Sequence, residues 1–178
     1  KGASRQWAHI AINEGAYCID NGSDFRLHPD VPLVVPEVNM HTVTPDTKLI
    51  ASPNCSTIQL VVAVAPLHRQ AKVKRLVVAT YQSVSGWGQK AMAELEKQLP
   101  QWLEGKTPDF DPSVFTRPIA LDCIPHIDRF LPNGYTKEEM KLVNETRKIL
   151  DAPELLITAT AVRVPVMIGH AEAVNAEV

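Results

Sequence analysis

Cys55 is the side chain in this sequence whose type and position best suit nucleophilic chemistry. It follows Pro53 and Asn54 at the end of an expected strand, and Ser56 then opens an apolar segment that predicts a helix. The unpaired N–H groups and the positive dipole end of a helix N-terminus favour a thiolate over a thiol. From position alone, Cys55 is either such a nucleophile or a small buried apolar residue.

His170 and Arg163 are the next candidates for chemistry. His170 follows a long expected strand and is either an acid/base partner for a thiolate or a structural histidine. Arg163 interrupts an otherwise apolar strand, so we expect a fixed anionic partner, which is either a structural carboxylate or a substrate carboxylate. The six histidines are scattered, and the one ligand-like spacing, from Cys123 to His126, contains a proline. The sequence therefore predicts no metal site.

Acidic residues at the start of the expected helix over 136–150 divide into two kinds. Thr136 and Glu139 fit a capping box, which makes Glu139 a structural residue. Glu138 and Lys141 lie three residues apart and share a helix face. They form either a modest ion pair or a polar site for a zwitterion and an anion.

Two loops carry weaker signals. The segment 83–88 (SVSGWG) lies between an expected strand and an expected helix, where backbone N–H groups are offered to an anion or cofactor. It contains no GxGxxG motif. Arg26 lies in a polar loop over 21–32, and by default such an arginine is solvated.

Composition excludes several classes of protein. With 178 residues, 45% hydrophobic and 21% charged, the chain has the composition of a globular protein and not of a disordered one. A formal net charge of −2 argues against a broad nucleic-acid-binding face. The longest apolar run, 60–67, is shorter than the roughly 18 residues that span a bilayer. Three cysteines do not make a disulfide framework and suit a reducing cytoplasm; we interpret Cys18 and Cys123 as structural.

The order of expected elements is typical of an α/β or α+β fold. Ser4 is expected to cap a first helix that ends before Gly15. Expected strands are 16–20, 33–35, 48–51, 73–80 and 155–166, the expected later helices are 58–69, 88–99 and 136–150, and 104–117 is expected to be irregular. The chain opens without Met and stops within a strand-like pattern over 171–178, which predicts an internal segment of a longer protein.

Several separate segments together resemble one family, bacterial aspartate-semialdehyde dehydrogenase. The resemblance covers nearly the whole chain in the family's order. Its segments are DFRLHPDVPLVVPEVN (24–39), SPNCSTIQ (52–59), TYQSVSGWG (80–88), CIPHID (123–128), NGYTKEEMKLVNETRKIL (133–150) and RVPVMIGHAEAVN (163–175).

The resemblance implies an α/β fold with two domains. Residues 1–54 would be the C-terminal part of a Rossmann-type NADP-binding domain. Residues 55–178 would belong to an α+β catalytic and dimerisation domain with a mixed sheet packed by helices, similar to that of glyceraldehyde-3-phosphate dehydrogenase. Both domains would be truncated.

The implied activity is an NADP-dependent oxidoreductase reaction. The enzyme would reversibly convert 4-phospho-L-aspartate to L-aspartate 4-semialdehyde and phosphate through a cysteine thioester, in lysine, diaminopimelate, threonine and methionine biosynthesis. The resemblance also implies a cytoplasmic homodimer that binds these small molecules and neither nucleic acid nor membrane.

Ten positions of this sequence match the family's functional residues. By the resemblance, Cys55 is the nucleophile, His170 the acid/base and Gln82 the glutamine beside the nucleophile. The remaining matches are the substrate-carboxylate residue Arg163, Glu138 near the substrate amine, Lys141, Arg26 and Asn54 in the phosphate site, and Ser85 and Gly86 near the nicotinamide.

The sequence also departs from the family's pattern. The phosphate-binding glycine loop and the C-terminal segment that returns to the nucleotide domain are absent from these residues. We therefore expect the isolated chain to be inactive. Ala171 stands where the family usually has serine beside the histidine.

Three alternatives remain open. The nearest is a related reductase of N-acetylglutamyl-phosphate type, which the sequence around Cys55 and the helix with Lys141 disfavour. A non-catalytic dimerising relative would have an unreactive Cys55. A nicotinamide-independent acyltransferase using Cys55 and His170 would turn over without a dinucleotide.

Overall fold

The structure is a computed structural model, and it describes residues 2–178. The chain divides into two compact units: unit 1 is Lys1–Leu76, Lys141–Ile157 and Ala176–Val178, and unit 2 is Val77–Met140 and Thr158–Asn175. The helices are α1 (Ala3–Asn13), α2 (Pro36–Asn39), α3 (Cys55–Ala71), α4 (Gln89–Leu103) and α5 (Lys137–Ile149), and the strands are β1 (Cys18–Asp20), β2 (Leu49–Ala51), β3 (Arg75–Gln82), β4 (Leu156–Arg163) and β5 (Ala171–Glu177).

This element order confirms the predicted α/β class. Within residues 2–178, none of the helices has both the length and the apolarity needed to cross a bilayer. The predicted domain boundary between residues 54 and 55 stays a prediction.

Unit 1 contains a small parallel sheet covered by helices. β1 pairs with β2 in parallel, with Cys18 opposite Leu49 and Asp20 opposite Ala51. The apolar core beneath this sheet draws on α1, α3 and the loop between β1 and α2, and its buried members are Ala8, Phe25, Val31, Leu33, Val35, Val38, Ala51, Val61, Ala65 and Ile149. Burial of these side chains fixes the ends of β2 and the start of α3, where Cys55 lies.

The predicted start of α1 was wrong. Ser4 lies inside α1 and not at its cap, because its hydroxyl donates to Asp20 Oδ1 at 2.6 Å. Gly2, with φ of +93°, occupies the cap position and makes no side-chain cap bond. The predicted end is confirmed: Gly15 follows the helix with φ of +85°, a conformation that glycine adopts without a steric penalty.

The predicted strand over 33–35 is reduced to a single parallel bridge, from Leu33 to Ala51. Asn39 is the physical reason. Its amide donates to the Leu33 carbonyl at 2.8 Å and accepts the Val35 N–H at 2.9 Å, so a side chain takes the place of a neighbouring strand.

Most of a three-stranded mixed sheet belongs to unit 2, in the order β4–β3–β5. The Leu156 N–H donates to the Lys74 carbonyl and the Val164 N–H to the Gln82 carbonyl, so β3 and β4 run parallel. The Lys74 N–H donates to the Glu177 carbonyl, which pairs the start of β3 with the end of β5. The ends of β3 and β4 thereby bring Gln82 and Arg163 to one edge of the sheet.

The proline- and aspartate-rich stretch over 104–117 is irregular, as predicted, and buried polar side chains of α4 accept N–H groups from it and from the residues that follow it. Gln98 is fully buried, and its Oε1 accepts the N–H groups of Ile119 and Ala120 at 2.7 and 3.0 Å. Glu94 Oε1 accepts the Asp111 N–H at 3.0 Å. These bonds replace the sheet or helix ladder that the stretch lacks.

The predicted capping box at the start of α5 is confirmed. Glu139 Oε2 accepts the Thr136 N–H at 2.6 Å, and the Thr136 hydroxyl accepts the Glu139 N–H at 3.3 Å. The other carboxylate oxygen of Glu139 accepts the Ala161 N–H of β4 at 3.0 Å. Glu139 therefore joins the helix start to the sheet within unit 2.

Replacement of Glu139 by alanine is expected to destabilise the complete protein. The change leaves the Thr136 and Ala161 N–H groups buried without an acceptor, which costs about 1–3 kcal/mol of unfolding free energy. Urea denaturation checks this, with Glu96→Ala, at an exposed site on α4, as the matched control. Equal midpoints for the two variants would contradict the structural role of Glu139.

Candidate active site

The turn before α3 presents Cys55 as predicted. Cys55 is the first residue of the helix and is exposed. Asn54 caps the helix, and its Oδ1 accepts the N–H groups of Ser56 at 3.0 Å and Thr57 at 3.4 Å. The predicted position of the thiol at a helix N-terminus is confirmed. The role of Cys55 as nucleophile stays a prediction.

Arg26 is buried and paired, so the default expectation of a solvated arginine was wrong. Its Nη1 lies 3.2 Å from Glu145 Oε1, and its Nη2 donates to the Asn21 carbonyl at 3.2 Å. Glu145 Oε2 accepts the main-chain N–H of Asn54 at 2.6 Å. Arg26 and Asn54, two predicted phosphate-site residues in unit 1, thus both contact the Glu145 carboxylate.

Sequence reasoning missed Glu145. It lies on α5, one turn beyond Lys141, and nothing in the local pattern distinguishes it from a solvated glutamate. Burial raises the pKa of Glu145, and the Asn54 N–H, Arg26 and Lys141 oppose that rise in this order. Both oxygens accept hydrogen bonds, so the surroundings are arranged for the ionised carboxylate.

In unit 2, Ser83 holds both His170 and Arg163. The Ser83 N–H donates to His170 Nδ1 at 3.1 Å, and the Ser83 hydroxyl lies 3.0 Å from the same nitrogen. Arg163 Nη1 donates to the Ser83 carbonyl at 2.6 Å, and Arg163 is 5% exposed. A peptide N–H can only donate, so Nδ1 is an acceptor and neutral His170 carries its proton on Nε2. Ser83 was a second residue that sequence reasoning missed.

Burial lowers the pKa of His170 below its ordinary value of 6.5. The positive charge of Arg163 lowers this pKa further, whereas Glu138 and the Gly169 backbone act to raise it. The imidazole is therefore neutral over a wider pH range than an exposed histidine. A neutral imidazole with a proton on Nε2 is able to donate a hydrogen bond to a developing oxyanion.

Gln82 and Glu138 are further polar residues of unit 2 near the cluster formed by Ser83, His170 and Arg163. Gln82 Nε2 donates to Thr80 Oγ1 at 3.2 Å and to Glu138 Oε1 at 3.4 Å. Both Gln82 and Glu138 are buried. Lys141, which was predicted to share a site with Glu138, belongs to unit 1, whereas Glu138 belongs to unit 2.

Ser85 and Gly86 lie in a short 3₁₀ turn, Val84–Trp87, against the same residues. The Ser85 hydroxyl lies 2.9 Å from the Ser83 hydroxyl. A Cβ added to Gly86 would lie 3.0 Å from His170 Nε2 and 3.2 Å from Arg163 Nη1. A side chain at position 86 would therefore crowd the ends of the His170 and Arg163 side chains, which would have to shift by a few tenths of an ångström.

The other cysteines and histidines add little to either cluster. Cys18 is half-buried in β1 and Cys123 is exposed, and all three cysteines are free thiols. His126 stacks on Phe130, with ring centroids 4.6 Å apart. Across residues 2–178, the structure contains no group of three or more His, Cys, Asp or Glu side chains that could hold a metal ion.

Two family models match the chain. Residues 64–178 match the model described as semialdehyde dehydrogenase, dimerisation domain. Residues 1–45 match the model described as semialdehyde dehydrogenase, NAD binding domain. The NAD binding model supports a nicotinamide cofactor.

Known proteins similar to this chain carry related names. This chain is 48% identical to the aspartate-semialdehyde dehydrogenase of Aquifex aeolicus over 176 residues, which are 98% of this chain and 52% of that protein. Aspartate semialdehyde dehydrogenase II from Vibrio cholerae, at 48% identity and a TM-score of 0.93, matches 98% of this chain and 52% of that chain, and a second structure of it is complexed with ASA. The chain spans about half the length of the curated relatives it matches.

The titration of His170 in the complete protein is expected to have a midpoint below 6.5, because burial and Arg163 both disfavour the imidazolium. Arg163→Met is expected to raise the midpoint by removing a repelling cation. Glu138→Gln is expected to lower it by removing an attracting anion. NMR titration of the imidazole, assigned with His170→Asn, measures all three. A fall in the Arg163→Met variant would show that the electrostatic assignment has the wrong sign.

Proposed function

The chain belongs to the semialdehyde dehydrogenase family, and we propose that the complete protein is an aspartate-semialdehyde dehydrogenase. In one direction it converts L-aspartate 4-semialdehyde, phosphate and NADP⁺ to 4-phospho-L-aspartate, NADPH and a proton. In the biosynthetic direction the same steps run in reverse. The observation that carries this proposal is 48% identity to aspartate-semialdehyde dehydrogenases over 98% of the chain.

Cys55 is the proposed nucleophile. Its thiolate adds to the aldehyde carbon while the carbonyl π electron pair moves to the oxygen, and His170, the proposed acid/base, donates a hydrogen bond from Nε2–H to that oxygen as the thiohemiacetal forms. Attack of phosphate on the resulting thioester carbon breaks the carbon–sulfur bond and returns the thiolate. The exposure of Cys55 and the neutral state of His170 both support these roles.

The charged side chains match the charges of the substrates. Arg163 is proposed to bind the substrate carboxylate and Glu138 the substrate ammonium group, because guanidinium and carboxylate groups suit these partners. Arg26, Lys141 and Asn54 are proposed to bind phosphate. Gln82, which donates to Glu138, keeps that carboxylate in place.

NADP is the proposed cofactor, and when bound it supplies the hydride acceptor that converts the thiohemiacetal to a thioester. Ser85 and Gly86 are the residues of this chain proposed to hold the nicotinamide. The close approach of Gly86 to His170 supports this assignment, since it puts the turn beside the proposed acid/base.

The related reductase of N-acetylglutamyl-phosphate type is disfavoured by Glu138. An N-acetylated substrate has no ammonium group for the buried Glu138 carboxylate to bind. We also propose that the protein is a cytoplasmic homodimer. Three free thiols and the match of residues 64–178 to a dimerisation domain support this.

The complete protein is expected to reduce NADP⁺ in the presence of both L-aspartate 4-semialdehyde and phosphate. Cys55→Ser is expected to lower kcat by at least about 10³-fold, because the serine hydroxyl is a much weaker nucleophile. Absorbance at the nicotinamide band measures both rates. Cys123→Ser, at the other exposed cysteine, is the matched control and keeps wild-type activity.

Three outcomes would overturn the proposal. Faster turnover of N-acetylglutamate semialdehyde would assign the protein to the rival reductase. Acyl transfer without any dinucleotide would assign it to an acyltransferase. A folded dimer without turnover would identify a non-catalytic relative.

A further inference from the structure

Glu145 is a buried carboxylate that the proposed chemistry does not use. It is 1% exposed, and its two oxygens point to two different parts of unit 1. Oε2 accepts the Asn54 N–H at 2.6 Å, one residue before the nucleophile, and Oε1 lies 3.2 Å from Arg26 Nη1. An ion pair this deeply buried is weak evidence for a purely stabilising role, since apolar replacements are often as stable.

We propose that Glu145 is a positioning residue, which fixes the Asn54–Cys55 turn with one oxygen and orients the Arg26 guanidinium for phosphate with the other. The proposal rests on the proposed function, in which Cys55 is the nucleophile and Arg26 binds phosphate. It assigns Glu145 no contact with substrate.

The hold on the nucleophile turn comes from both sides of Asn54. Glu145 accepts the Asn54 main-chain N–H, and the Asn54 side chain accepts N–H groups from the first turn of α3. These bonds fix the peptide plane before Cys55 and the start of the helix after it. A displacement of about 1 Å at such a point costs about 10²-fold in rate.

The hydrogen bonds of Arg26 set the direction in which its guanidinium group points. The guanidinium has Nη1 on Glu145 and Nη2 on the Asn21 carbonyl, and its Nε is buried without a hydrogen-bond partner in the described part of the chain. Two contacts in the plane of the guanidinium set its orientation. Loss of the Glu145 contact leaves one, so the side chain is free to rotate.

Glu145→Gln separates positioning from electrostatics. A glutamine has one acceptor oxygen, so it cannot satisfy both donors, and the peptide N–H is the donor that cannot move away. The amide NH₂ then faces Arg26 and displaces it. Positioning predicts that the KM for phosphate rises about tenfold, because an oriented charged hydrogen bond is lost. A purely electrostatic role predicts the opposite, since removal of a negative charge strengthens phosphate binding.

The assay uses the complete protein with inorganic phosphate as the varied substrate. The KM for L-aspartate 4-semialdehyde is expected to stay within about twofold, because no proposed semialdehyde contact is altered. Glu139→Gln is the matched control: it is also a buried glutamate of α5 that accepts main-chain N–H groups. It is expected to lower the melting temperature and leave the KM for phosphate unchanged.

A double-mutant cycle tests the route through Arg26. In an Arg26→Met background, which already has a raised KM for phosphate, Glu145→Gln is expected to add no further increase. Additive increases in the two variants would contradict the route. An unchanged or lowered KM for phosphate in Glu145→Gln alone would overturn the positioning role at Arg26.

Glu145→Leu removes both acceptors and gives a readout that does not depend on turnover. Alkylation of Cys55 by iodoacetamide is expected to slow several-fold in Glu145→Leu and to stay near the wild-type rate in Glu145→Gln. Circular dichroism checks that both variants are folded. If the wild type lacks phosphate-dependent turnover but Glu145→Leu slows alkylation, the proposed function fails while the hold on Cys55 stands. Equal alkylation rates in the folded proteins would overturn that hold.

Discussion

A carboxylate that is removed from water must have donors for its oxygens, and two glutamates of α5 meet this requirement with main-chain N–H groups. Within unit 2, Glu139 accepts from Thr136 and from Ala161, 22 residues away along the chain. Within unit 1, Glu145 accepts from Asn54, 91 residues away. Each carboxylate thereby holds a backbone segment of its own unit: Glu139 the β4 backbone in unit 2, and Glu145 the turn before Cys55 in unit 1.

Local patterns predicted the features that depend on neighbouring residues. The capping box of Thr136 and Glu139 and the position of Cys55 at the start of α3 both arise within four residues, and both are confirmed. The Ser4 cap failed although it is equally local, since Asp20 competes for the same hydroxyl. The α/β class was also predictable, because the order of strands and helices along the chain follows from local patterns.

The contacts of the candidate site that the sequence did not predict join residues that are remote in sequence. Arg26 and Glu145 are 119 residues apart, and Ser83 and His170 are 87 apart. The sequence periodicity of a helix does not distinguish a buried glutamate from a solvent-exposed one. A glutamate of either kind has compatible neighbours three and four positions away on the helix. Ser83 holds His170 largely through its N–H, which every non-proline residue possesses, so residue type carried no signal there.

Opposing charges around His170 couple its protonation to substrate binding in the proposed reaction. Arg163 lowers the pKa of His170 by repelling the imidazolium. A substrate carboxylate bound at Arg163 neutralises that repulsion and raises the pKa toward its ordinary value, which makes His170 a better base once substrate is present. The Ser83 N–H occupies Nδ1 of the neutral imidazole, so protonation of that nitrogen requires this hydrogen bond to break.

A peptide N–H makes a hydrogen bond at or beside each of the two proposed reactive residues: the Asn54 N–H, next to Cys55, donates to Glu145, and the Ser83 N–H donates to His170. A peptide group has no rotamers, so it orders its partner with little loss of side-chain entropy. Substitution of Asn54 or Ser83 leaves these N–H groups in place. Glu145 and Arg163 contact the same two residues through their side chains. Substitution of Glu145 or Arg163 can therefore change the geometry of these contacts. Both are buried charges, and removal of either side chain leaves the group that it contacts without one of its hydrogen-bond partners.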